Sequence, residues 1–308
     1  MNLLGISVPF CTLQRWKEIF VFPDEPLFFT ETLLDLARDL NPQPRTPRGN
    51  LNFADAYQTY HVGSQASHVA CCPPDTIRFH PHHDSIMQLQ MELGRGQIYP
   101  LEAVLQVFGT LPAVLKPDLF ETNTGPHVAL RHDAWHALTA EDQERWLAAQ
   151  IEQDREPCLS SALSEDLWKT IELHCGPQVR RLAGQFAAES GPNCLATALA
   201  PLLADEEKFL SIQNTWLHPE PFLTGLHEQG FLLTETDLAA PQNFSVLVLL
   251  DQKGNLQHAC LHLTRGLVLN KDAQGWFAPR QIRTLESVLK PWMQPGWTVH
   301  TYAQKNPA

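Results

Sequence analysis

The sequence predicts an α+β fold, a mostly helical N-terminal region followed by a domain in which a helix-borne cysteine packs on an antiparallel sheet. Apolar residues recur three and four apart in several segments between residues 85 and 188, the spacing of amphipathic helices. The runs 244–250, 256–263 and 267–271 are rich in Leu and Val and are joined by short turns carrying Gly254 and Gly266, which marks a strand meander. Between these regions Gly191-Pro192 breaks the chain just before the apolar segment that begins at Cys194.

Element by element, an apolar run reaches Phe22, and residues 31–40 read as a helix. Residues 41–49 hold three prolines and a glycine and read as a loop, while 51–84, rich in His, Ser, Pro and Tyr, has no clean period. Helical spacing returns over 85–93 and over 100–108, where Leu101, Val104, Leu105 and Phe108 share a face. Thr139 opens a helix to about Gln153, with Glu141 and Asp142 in the first turn, where the helix dipole favours acids. Ser164-Glu165-Asp166 opens another, and Pro177 a third that runs to Ala188. The polar stretch 155–161 separates an N-terminal accessory region, 1–155, from a second domain, 156–308. There, 194–203 and 219–229 read as helices and the three apolar runs as strands. Residues 281–292 then read as a helix and 296–302 as a last strand.

Composition narrows the function. The 308 residues suffice for about two ordinary domains, and 44% hydrophobic with 18% charged residues is a globular balance. Acidic residues outnumber basic ones, 34 to 22, and the net charge of −12 repels phosphates and anionic lipid, so neither nucleic acid nor a membrane is expected as a partner. Seven cysteines without regular spacing point to reduced thiols. The N-terminus lacks a basic segment and is interrupted by Pro9, and no apolar stretch reaches membrane-spanning length, so the expected location is the cytoplasm.

No cofactor motif is read. Gly94-Arg95-Gly96 is too short for a phosphate loop. His80, His82, His83 and Asp84 invite a metal, yet near-adjacent residues rarely converge on one ion. His132 and His136 have the spacing of a zinc helix without the glutamate that follows the first histidine, and the helix there is expected to start only at Thr139. No metal ligands are assigned.

The chemistry concentrates elsewhere. Asn193 is a candidate N-cap that puts Cys194 in a first helical turn, where free N–H groups and a nearby imidazole favour the thiolate. On the middle strand His258 shares a face with Leu256, Cys260 and His262, and Asn270 follows twelve residues later, across a turn, in reach of the ring. Asp272, on the same face, competes as the third member because a carboxylate stabilises imidazolium more strongly than an amide. Trp276, Trp292 and Trp297 read as core or groove-wall residues.

Asn193-Cys194, the strand from Phe244, the segment His258-Ala-Cys-Leu-His-Leu-Thr-Arg-Gly266 and Leu267-Val-Leu-Asn270 together resemble the NlpC-like branch of the papain-like cysteine peptidases, over roughly residues 185–302. The resemblance implies a papain-like domain that hydrolyses an amide or peptide-like bond through a thioester. Cys194 would be the nucleophile, His258 the general base and acid, and Asn270 the residue orienting the ring. By analogy with the glutamine of papain-like sites it offers Gln185 as an oxyanion donor. The family commonly has Asp-Cys-Ser where this chain has Asn193-Cys194-Leu195. That departure motivates a second reading, a non-catalytic NlpC-like module that binds a protein partner through its groove or N-terminal region. A metal-dependent hydrolase using the histidine clusters is a third.

Overall fold

The structure, a computed structural model, describes residues 1–45, 62–153, 155–238 and 241–304. The chain divides into two units, Gln14–Gln153 and a second formed by Met1–Leu13 with Asp154–Ala308. Both mix helices with antiparallel sheet. The first residues join the C-terminal unit because strands β1 (Asn2–Leu3) and β2 (Ile6–Ser7) form a small hairpin whose connecting Leu4 carbonyl accepts from the Cys158 N–H at 2.8 Å.

The unit Gln14–Gln153 is less helical than its sequence suggests. Strands β3 (Glu25–Phe29), β4 (Gln43–Pro44) and β5 (His68–Cys72) form one three-stranded sheet in the order β3-β5-β4. Strands β6 (Ile98–Pro100), β7 (Leu119–Thr122) and β8 (Gly125–Ala129) form another, ordered β6-β8-β7. None exceeds 5 residues, too few to establish a period of two, and Pro, His and Cys within them carry weak strand signals. The loop expected at 41–49 lies partly outside the described residues, as does the unassigned stretch 51–84.

The caps were better guides. Thr139 Oγ1 accepts from the Asp142 N–H at 3.1 Å and opens the helix Ala140–Glu152. In the other unit Ser164 does the same for Glu165–Cys175, accepting from the Leu167 N–H at 3.3 Å. Glu31–Leu40 is helical but wound as a 3₁₀ helix, with Ala37 outside helical dihedrals. The expectation that the helix near His132 and His136 starts only at Thr139 is corrected: His132–Ala137 forms a short one of its own.

Charge is buried at the centre of this unit. Glu25, Arg95, Arg131 and Asp118 have no exposed side-chain surface, and Arg95 Nη2 lies 3.0 Å from Glu25 Oε2. Arg131 donates to the other Glu25 oxygen and sets its Nε 2.8 Å from Asp118 Oδ1. Each buried ion is thus compensated, the condition under which interior charges are tolerated.

The C-terminal unit is built on a six-stranded antiparallel sheet. Its strands are β9 (Phe231–Thr234), β10 (Ser245–Leu250), β11 (Leu256–His262), β12 (Leu267–Asn270), β13 (Gln281–Thr284) and β14 (Thr298–Gln304), arranged β13-β12-β11-β10-β14-β9. The expected meander is its centre. At the tighter turn Arg265 and Gly266 both take positive φ, 53° and 69°, and the Leu267 N–H reaches the Thr264 carbonyl at 2.9 Å. That is the I′ geometry whose twist matches paired strands.

Two helices depart from expectation. The helix expected from Pro177 to Ala188 is only Gln178–Leu182, because Gly184 turns to positive φ and donates its N–H to the Arg280 carbonyl at 2.8 Å. Residues 281–292, expected as one helix, begin instead as edge strand β13 and turn helical only over Leu285–Leu289. Pairing with β12 overrides the local period there. Leu247, Leu249, Cys260, Val268, Leu285, Val288 and Val299 form a core on one face of this sheet. His258 is paired with Leu249 and points to that same face.

Candidate active site

The thiol is set by a break and a cap. Gly191 takes a φ of 137°, a conformation L side chains rarely adopt, and ties its N–H to the Gln274 carbonyl at 2.9 Å. Asn193 then caps the helix Cys194–Leu199: its Oδ1 accepts from the Ala196 N–H at 3.0 Å and from the Leu217 N–H at 3.3 Å. Its Nδ2 donates back to the Leu217 carbonyl at 2.8 Å, so one buried side chain both starts the helix and anchors it to the segment at 217. The helix packs against β11 and β12, and Cys194 keeps partial exposure.

His258 is completely buried in the middle of β11. Its Nε2 lies 2.8 Å from Asn270 Oδ1 on β12, and because an amide oxygen only accepts, Nε2 carries the proton. Nδ1, buried and without a well-aligned hydrogen bond, is the nitrogen left for the thiol. Trp292 covers the ring, stacked at a centroid distance of 4.5 Å and an interplanar angle of 13°. Asn270 and Asp272 are linked in turn: Asn270 Nδ2 donates to Asp272 Oδ1 at 2.8 Å, so Asp272 stands behind the amide rather than against the ring.

The electrostatics of the pair run in opposite directions. Burial alone would push the Cys194 thiol up, but the charge of His258 and its hydrogen bond, helped by the N–H groups of Ala259 and Leu195, bring it below its ordinary value. Burial alone would push His258 down. The Cys194 charge and hydrogen bond, then Asn270 and the Asp272 charge, raise it instead. Such a pair titrates together, and each partner favours the charged form of the other, thiolate beside imidazolium. The helix contributes little, since it has only 6 residues.

The neighbouring polar groups are otherwise occupied. Cys260 is pushed up to about 12 by burial and stays protonated. His262 bonds through Nδ1 to the Gln242 carbonyl at 2.8 Å, and burial lowers its pKa. Cys72 and Cys175 are likewise pushed up to about 12.

Gln185 is exposed, and its backbone carbonyl accepts from the Arg280 N–H at 2.9 Å in an isolated bridge. The helix expected to contain it ends at Leu182. His80 Nε2 sits 3.0 Å from Asp39, and His83 lies between Asp84 at 2.8 Å and Arg131 at 3.2 Å. Among the described residues no group of three or more His, Cys, Asp or Glu is placed to hold a metal ion.

Sequence reasoning missed Lys271. It is fully buried beside Asn270 and its Nζ donates to the carbonyls of Ala273, Gly275 and Ala278 at 2.6, 2.7 and 2.6 Å, which fixes the loop after β12. Burial holds its amine well below the usual lysine range. The signal was a lone lysine ending an otherwise apolar strand run. A groove of about 450 Å³, lined by Leu199, Leu203, Ile212, Leu217 and Gly225 among others, opens at the far end of the Cys194 helix. No helix among the described residues is long and apolar enough to cross a membrane. No protein-family model, curated protein or solved structure matches the chain.

Proposed function

We propose that the chain is a cysteine-dependent hydrolase of an amide or peptide-like bond. The observation that carries this reading is the coupled pair of a lowered thiol, Cys194, and a raised imidazole, His258, whose Nε2 is held by Asn270. The order of Cys-bearing helix, His strand and Asn strand on an antiparallel sheet supports a divergent NlpC-like, papain-like fold. A thiolate of this kind suits a reducing compartment such as the cytoplasm.

In the reaction the Cys194 sulfur attacks the carbonyl carbon, and the carbonyl π electrons move to oxygen. Collapse of that intermediate breaks the carbon–nitrogen bond while the His258 imidazolium gives its Nδ1 proton to the departing amine, leaving a thioester. Neutral His258 then takes a proton from water, the hydroxide attacks the thioester, and Cys194 leaves as thiolate. Asn270 keeps the ring aimed throughout.

The test is iodoacetamide labelling at about pH 6, where an ordinary thiol with a pKa of about 8.5 is almost entirely protonated. Cys194 should be alkylated far faster than Cys11 or Cys71, the exposed thiols, and Cys194→Ala should remove that fast phase with the fold retained. Equal labelling of wild type and variant would sink the hydrolase reading and favour the non-catalytic binding module.

A further inference from the structure

We propose that Asp272 is a positioning residue that fixes the orientation of the Asn270 amide and, through it, the tautomer of His258. This rests on reading Cys194 and His258 as a working pair. The two ends of an asparagine amide have nearly the same shape, so only its partners decide which end faces the ring. His258 cannot decide alone: a neutral imidazole accepts from an NH2 as readily as it donates to an oxygen. With the amide reversed, Nε2 would accept and the ring proton would move to Nδ1. That nitrogen then has no lone pair for the thiol proton.

Asp272 removes the choice. An ionised carboxylate only accepts, and its Oδ1 lies 2.8 Å from Asn270 Nδ2, so the oxygen end is turned to His258 Nε2, also at 2.8 Å. A reversed amide would set its oxygen against the carboxylate and lose the bond to Asp272. The carboxylate is held in turn from β13, where Arg283 Nη1 lies 3.4 Å from Asp272 Oδ2 while its Nη2 is 3.2 Å from Glu156. The titratable and charged groups around the pair are Cys194 from its helix, Cys260 and His262 on the ring's own strand, Lys271 and Asp272 in the segment just after β12, and Arg283 from β13. Asp272 is the carboxylate whose charge raises His258.

The experiment compares wild type, Asp272→Asn and Asp272→Glu by the pH dependence of Cys194 alkylation. It adds the ¹⁵N spectrum of the His258 ring, assigned by difference from His258→Gln. In wild type the neutral ring should be the Nε2–H tautomer alone. Asp272→Asn puts two amides in series and should give a mixture of tautomers, and the pH at which the ring loses its charge should fall by about one unit as a nearby anion is lost. Asp272→Glu, still an acceptor, should recover part of the wild-type profile. Superposition of Asp272→Asn on a wild-type profile that does show a lowered thiol would overturn the inference. So would an Nδ1–H ring in wild type, a result that needs no variant at Asp272. A wild-type profile like that of a free thiol would instead remove the hydrolase reading itself.

Discussion

Replacing His258 with Ala removes the charge and hydrogen bond that do most to lower the Cys194 thiol and leaves the burial that raises it, the largest influence of all. The variant's thiol should therefore sit above the ordinary value of about 8.5. Below its pKa a thiol gains about tenfold in thiolate with each pH unit, so between about pH 6 and pH 8 the variant's alkylation rate should climb about a hundredfold. Wild type should level off once the pH passes its lowered value. Nucleophilicity runs the other way. With a Brønsted coefficient of about 0.45, each unit of rise in the thiol costs about tenfold in thiolate and regains about threefold in reactivity, a net fall of about threefold to fourfold at acid pH. The assay is iodoacetamide labelling stopped at intervals, with the Cys194 peptide quantified by mass spectrometry. Profiles that superimpose, both climbing tenfold per unit across the range, would refute the reasoning, since His258 would then do nothing for the thiol.

Asn193→Ala should destabilise the C-terminal unit by about 2–4 kcal/mol, combining a lost cap with two unsatisfied groups at Leu217. Urea unfolding checks it, and a loss below about 0.5 kcal/mol would contradict the anchoring role. Glu25→Gln leaves the buried Arg95 without a carboxylate and Arg131 with Asp118 alone, and should cost about 3–5 kcal/mol in the unfolding of Gln14–Gln153, with no change in the Cys194 labelling profile; wild-type unfolding would argue against the network's importance. The pair also ties stability to pH. The raised His258 contributes fully below its unfolded pKa and fades as pH rises through the folded one, while the lowered Cys194 contributes fully above its unfolded pKa and fades as pH falls through the folded one. Each charge needs the other, so the stability gap between wild type and Cys194→Ala should shrink toward both acid and alkaline pH; a gap independent of pH would contradict the ion pair.

The site was legible where its determinants are local. Asn193, Thr139 and Ser164 cap helices through bonds to residues three further on, and such spacings are visible in any sequence. The Arg265-Gly266 turn declared the meander and with it the reach from His258 to Asn270. What failed was decided at long range. Residues 281–284 have no strand period of their own and become β13 only by pairing with β12, and Gln185 lost its helix to a bridge with a residue 95 positions away. Asp272 lies two residues past Asn270 and beyond the end of its strand, and sequence could not say whether it met the ring or the amide, since that depends on ångström-scale offsets. The short strands β3 to β8 hid for a different reason, having too few residues to write a pattern.

Trp292, stacked flat on His258, makes the site its own optical probe. A protonated imidazole quenches an indole pressed against it more strongly than a neutral one, so Trp292 should dim when the ring gains its proton and brighten when the ring loses it. Subtracting the spectrum of Trp292→Phe isolates that one signal from the chain's 8 tryptophans. The charge on His258 can then be followed in real time without a reagent or a substrate, including at the moment an unknown ligand arrives.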